Sequence, residues 1–182
     1  KDILNIPIIY VSHQIQEIMN LADTLVLLEN GRILEKGPVD TIINNPKMTP
    51  YFGENLKSSF IKCIIENNDR ETSVTKLGFD GGLITTTILN KPVGSPVRVR
   101  IRAQDIAVSI EQPQDISVAN IFKVKIETIE PSEEGFVDLN LIAKNTVFWA
   151  RLTKTSVTNL KLTPGRFVYA LFKSTAIEVL GH

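Results

Sequence analysis

The chain is 182 residues long, enough for one or two domains, and its apolar content is sufficient for real cores. Its 20 basic and 20 acidic residues cancel, so no global field draws it to nucleic acid or an anionic membrane, and any bound anion must be caught by local groups. The single cysteine, Cys63, excludes an intrachain disulfide and a thiolate metal cluster and fits a reducing, cytoplasmic compartment, while the apolar runs are too short to span a bilayer.

The opening residues, Lys1 to Asn5, show no initiator methionine, no charged leader and no clean element start, as expected of a fragment. "IPIIYV" is a continuous apolar run, which predicts a strand buried on both faces as in a parallel α/β sheet. Ile15, Ile18, Met19 and Ala22 follow at helical spacing, with Ser12 available as the N-cap. "TLVLL" predicts a strand, "ENG" a hairpin turn with positive φ at Gly31, and "RILEKG" the returning strand. Pro38 then opens a short helix, "VDTII". The prolines, glycine and polar residues of "NNPKMTPYFGEN" read as a linker. The expected division is residues 1–45, a linker over 46–57, and a second unit over 58–182.

Beyond the linker the apolar period is two. "SFIKCIIE", "TSVTKLGF", "LITTTIL", "VRVRIRA" and "DIAVSIE" predict short strands, and "NIFKVKIETIE", "FVDLNLIA", "TVFWARLT" and "RFVYALFKSTAIEVL" a second β series. "TKTSVTNLKL" interrupts it with a short helical turn. The pattern predicts a small barrel of the oligonucleotide/oligosaccharide-binding type, with no strict internal repeat. Phe148 and Trp149 are expected in the barrel core or a dimer interface. Arg98, Arg100 and Arg102 share one strand face; with the charge balanced, a solvated face explains them more simply than a nucleic-acid contact.

His13 stands at the carboxyl end of the first predicted strand and before a helix, where ligands sit in open α/β sheets. Its imidazole either donates to a phosphate oxygen or satisfies backbone groups, and spacing alone leaves both open. The whole stretch "PIIYVSHQIQEIMNLADTLVLLENGRILEKGPVDTII" resembles the last part of an ATP-binding-cassette nucleotide-binding domain. By that resemblance His13 is the switch histidine that contacts the γ-phosphate. The sequence holds no G-x-x-x-x-G-K-[ST] loop, glutamine loop, signature motif or acidic Walker B strand, so ATP and Mg²⁺ are expected only with the full-length protein, and this chain alone is expected to be inactive.

"SVANIFKVKIETIE" through "RFVYALFKSTAIEVL" resembles the molybdate-binding Mop-type domain, also called a transport-associated OB (TOBE) domain, over residues 117–180. The resemblance implies oxyanion ligands at Ser117, Asn120, Thr153, Ser156, Lys173 and Ser174. A tetrahedral dianion wants such donors: hydroxyls, N–H groups and a cation. The chain departs from the family at Ala119, where an arginine is usual, and at Val124, where a small residue is. Together the two resemblances imply an α/β cassette tail followed by an all-β barrel, similar to the ATP-binding subunit of a bacterial molybdate importer. They imply as partners a membrane permease subunit, a second copy of the chain, and molybdate or tungstate, with no nucleic acid, at the cytoplasmic face of the inner membrane. A free-standing oxyanion module and the OB-like domain of another substrate's importer are the alternatives, with a nucleic-acid-binding barrel the least favoured.

Overall fold

From residue 58 onward each run of alternating apolar residues forms a strand that turns its apolar face inward: Ile61, Cys63 and Ile65 do so on one strand, Phe122, Val124 and Ile126 on another. The computed structural model describes residues 6–43, 45–48, 51, 57–132 and 135–180. The first half supplies β3 (Ser58–Asp69), β4 (Val74–Phe79), β5 (Gly82–Thr87), β6 (Pro96–Arg102) and β7 (Ala107–Ser109). The second supplies β8 (Asn120–Pro131), β9 (Phe136–Ala143), β10 (Thr146–Thr153), helix α3 (Lys154–Asn159), β11 (Phe167–Phe172) and β12 (Ile177–Leu180). They build two five-stranded antiparallel sheets, ordered β10-β9-β8-β11-β7 and β12-β6-β3-β4-β5. Each half therefore lends its last strand to the sheet of the other. In place of one small barrel, the chain forms two interlocked halves.

Those halves are structural repeats, contrary to the sequence expectation. Gly94 and Gly165 both sit at φ +86°, in the left-handed region that favours glycine. Gly94 donates its N–H to Ile65 O and Ile65 donates back to Ser95 O, while Gly165 and Arg166 repeat both bonds with Ile126. The bulges that follow Ile65 and Ile126 also correspond. Val97, Ile101, Arg102 and Ile106 of the first half thus answer to Val168, Phe172, Lys173 and Ile177 of the second. The repeat escapes sequence inspection because α3 lengthens only the second half and the paired side chains are mostly unlike.

The two halves are also clasped by equivalent side chains. Asn120 accepts from Thr85 N–H (2.7 Å) and donates to Thr85 O (2.9 Å), while Ser59, its counterpart, accepts from Trp149 N–H (2.8 Å). Between the sheets Phe79, Phe122, Phe148 and Phe172 pack with ring centroids 5.3 to 6.0 Å apart. Phe148 and Trp149 are both buried, Phe148 in this core. A polar cluster flanks it: Arg151 donates to both oxygens of Asp138 (2.8 and 3.0 Å), and Lys57 Nζ lies 2.9 Å from Glu130, 3.3 Å from Asp138 and 4.0 Å from the Trp149 ring centroid.

The amino-terminal segment is less than the expected α/β tail. Helix α1 (Ile15–Leu21), the hairpin β1 (Thr24–Glu29) and β2 (Arg32–Pro38), and helix α2 (Val39–Ile43) enclose a small core of Ile15, Met19, Leu25, Val39, Ile42 and Ile43 that packs on Phe60 and Leu180. Pro38 closes β2 instead of opening the helix. The ENG turn is as expected, with Asn30 and Gly31 at φ +50° and +76°. "IPIIYV" is not a strand: no described strand pairs with it, and Ile9 and Val11 are 95% and 90% exposed. A strand needs a neighbour for its backbone groups, and none is at hand. The fold shown is accordingly all-β with a small helical appendage.

Candidate functional site

An open cavity of about 460 Å³ lies where the two halves exchange strands. Ala107 of β7 faces Leu171 of β11 across one wall. Phe172, Lys173, Thr175 and Ala176 continue it through the 3-10 turn Ser174–Ala176, and Val118 and Asp105 complete the lining. The fold opens this space because β7 is short and carries alanine at its entry, so no long side chain crosses to β11. Lys173 is exposed and supplies the cationic group, Ser117 adjoins Val118, and Ser174 adjoins Lys173. Asp105 opposes an anion from the lining, so the ammonium and hydroxyls must supply the attraction.

The sequence-predicted ligands divide into three sets. Lys173 lines the cavity, while Ser117 and Ser174 are chain neighbours of the lining residues Val118, Lys173 and Thr175 and are not themselves among the lining. Asn120 is buried beside them but turns its amide to Thr85 and does not line it. Thr153 and Ser156 lie elsewhere: Thr153 caps α3 by accepting from Ser156 N–H (3.1 Å), and Thr153 pairs with Phe136, at the Pro131 end of β8. The length of β8, residues 120 to 131, separates that end from Asn120 by roughly 35 Å along the strand at about 3.3 Å per residue. One chain does not bring the six together.

His13 is exposed ahead of α1. Ser12 does not cap the helix in the expected way; Gln14 holds the N-cap position, and Ser12 Oγ accepts from Gln14 N–H and donates to Glu17 (2.8 Å). Tyr10 donates to the same oxygen, and these two hydrogen bonds hold the Glu17 carboxyl below its usual range. Among the described residues no element presents a phosphate-binding loop to His13. Among the described residues no cluster of three or more His, Cys, Asp or Glu is placed to hold a metal ion, and no helix is long and apolar enough to cross a membrane.

The arginine stripe is not a solvated face. Arg98 donates to Met19 O (2.8 Å) at the end of α1, and Arg100 and Arg102 both bind Glu178, at 3.0 and 2.6 Å. Sequence reasoning missed this grouping and the Lys57–Asp138–Arg151 cluster: Glu178 reaches the arginines only through the exchanged strand β12, and Lys57 reaches the Asp138–Arg151 pair of the β9–β10 hairpin only through packing of one sheet on the other.

A family model described as the TOBE domain matches residues 116–179, which span the cavity's second-half wall, α3 and the exchanged strand β12. Over these residues the chain is similar to the TOBE domain family. The chain as a whole is similar to molybdenum import ATP-binding proteins ModC. It is 34% identical to that of Paramagnetospirillum magneticum over 95% of this chain and 48% of the relative, and 33% identical to that of Rhodospirillum rubrum over the same shares, 95% and 48%. It thus spans about half the length of the curated relatives it matches. Among solved structures, the cytoplasmic molybdate-binding protein ModG, with molybdate bound, aligns at TM-score 0.62 and 18% identity over 68% of this chain and 95% of that one. That likeness establishes the fold, and the residues matched by the TOBE model lie in the second half of the interlocked pair.

Proposed function

We propose that this chain is the carboxy-terminal part of the ATP-binding subunit of a molybdate or tungstate importer, in which the β body binds oxyanion and regulates transport. The observation that carries the reading is the similarity to molybdenum importer ATP-binding subunits along nearly the whole chain, joined to an open cavity whose cation is Lys173. A tetrahedral dianion stays deprotonated at neutral pH, and Lys173 with the hydroxyls of Ser117 and Ser174 offers the charge-assisted donors it needs. Thr153 and Ser156, at the far end of β8, join such a site only across an interface between two copies. The partners are a second copy, a membrane permease and the oxyanion, at the cytoplasmic face of the inner membrane.

ATP and Mg²⁺ belong to the full-length protein, which supplies the phosphate loop and acidic strand this sequence lacks; His13 then stands ahead of α1 to meet the γ-phosphate. Arg98 ties α1 to β6, giving oxyanion occupancy a physical connection to the segment that carries His13. Coupling requires unequal oxyanion affinity in the two transport states. Calorimetric titration of molybdate into the chain, with sulfate as competitor, tests the reading. Saturable binding that survives excess sulfate and is lost in Lys173→Ala supports it; undiminished binding in the variant refutes the site.

A further inference from the structure

The pseudo-twofold relation between the halves gives the open cavity a twin. Ala107 faces Leu171 in the open cavity, and the equivalent pair is Glu178 facing Arg100 across β12 and β6. Lys173 of the open cavity answers to Arg102. Three positions that line the open space are therefore repeated, in the twin, by two guanidinium groups and one carboxylate. Arg100 is 5% exposed, its Nε donates to Ser58 Oγ (3.0 Å) and its Nη1 to Glu178 Oε2 (3.0 Å), while Arg102 Nη2 donates to the other Glu178 oxygen (2.6 Å). A carboxylate thus stands between two guanidiniums, one buried and one half-exposed, at the position equivalent to the open cavity.

We infer that the Arg100–Arg102 pair is a second tetrahedral-oxyanion site, held shut by the carboxylate of Glu178 acting as a built-in ligand, so that each chain offers one open site instead of two. The inference rests on the oxyanion reading of the β body and adds to it the asymmetry between the halves. The donor set fits the ligand class: two guanidiniums supply planar, fixed N–H pairs, which suit oxyanions better than a single ammonium does, and Ser58 adds a hydroxyl. The open side keeps alanine where the closed side has glutamate, which leaves Lys173 without an internal anion at that position. Arg100 is buried and positioned by Ser58 independently of Glu178, so the site does not depend on the carboxylate for its shape.

The test is the stoichiometry of molybdate binding by calorimetry in wild type, Glu178→Ala, Lys173→Ala and the double variant, with Glu178→Gln as an isosteric second choice should the alanine variant unfold. The inference predicts one ion per chain in wild type, two in Glu178→Ala, and one in Lys173→Ala/Glu178→Ala, where the open cavity is disabled. Two ions in wild type, or no gained ion when Glu178 is replaced in either background, overturns it. No ion in wild type with one gained in Glu178→Ala upholds the closed site while refuting the open cavity as a ligand site, so the two claims fail separately.

Discussion

Replacing Asp138 with alanine removes the hub of the polar cluster that fastens Lys57 to the second sheet. Asp138 is 3% exposed at its side chain and takes two hydrogen bonds from Arg151 and a 3.3 Å ion pair from Lys57, itself 7% exposed. Breaking a buried pair from one side leaves the partner charge uncompensated and costs about 3–5 kcal/mol. Here the lower end applies, because Lys57 keeps Glu130 at 2.9 Å and the face of Trp149. With a urea slope of about 2 kcal/mol per molar, a loss of about 3 kcal/mol lowers the unfolding midpoint by about 1.5 M. Trp149 is the only tryptophan and lies beneath Lys57, so its fluorescence reports the transition. A midpoint shift below about 0.5 M, equal to about 1 kcal/mol on the same slope, refutes the cluster as a fastening.

The same variant has a pH signature. Burial raises the Asp138 carboxyl, but the Arg151 hydrogen bond and the charges of Lys57 and Arg151 outweigh it, and the net shift is below the ordinary 3.8. A depressed native value means stability that is present above 3.8 and is lost as pH falls through the lower folded value. Wild type therefore loses more stability than Asp138→Ala across that acid window.

Three further outcomes are expected. Asn120→Ala, which removes the partner of both the N–H and the C=O of half-buried Thr85, destabilises the β body by about 1–3 kcal/mol, while Ser59→Ala, which strands the N–H of buried Trp149, costs about 1–2 kcal/mol; parallel urea titrations measure both. Arg98→Ala raises hydrogen exchange over residues 15–43 without moving the Trp149 transition, because it removes the cap on Met19 O but leaves the inter-sheet core intact. Cys63, its thiol pushed up to about 12 by burial, fails to react with a thiol reagent at pH 8 until the chain is unfolded, and the native state loses stability as pH rises from about 9 towards 12.

Much of the β body was legible because the period of two is a local signal: Ile61, Cys63 and Ile65 announce a buried face without reference to any other strand. The hairpin at Asn30 and Gly31 and the short helix after Thr153 were legible for the same reason. Strand exchange was not, since nothing local in "AVS" or "IEVL" says which sheet receives it; β7 and β12 are placed by the packing of the whole. Asn120 illustrates the cost at the site. As a residue type it is a good oxyanion donor, yet its position between the halves commits its amide to Thr85, a partner 35 residues away. "IPIIYV" shows the converse, a strong strand pattern left without the neighbouring sheet that makes a strand stable.

The most direct test of the oxyanion reading is an anomalous difference map at the molybdenum edge from crystals grown with molybdate. The account predicts a peak within hydrogen-bonding distance of Lys173 Nζ in the cavity between β7 and β11. A map in which molybdate appears only away from Lys173, or not at all at saturating concentration, contradicts it.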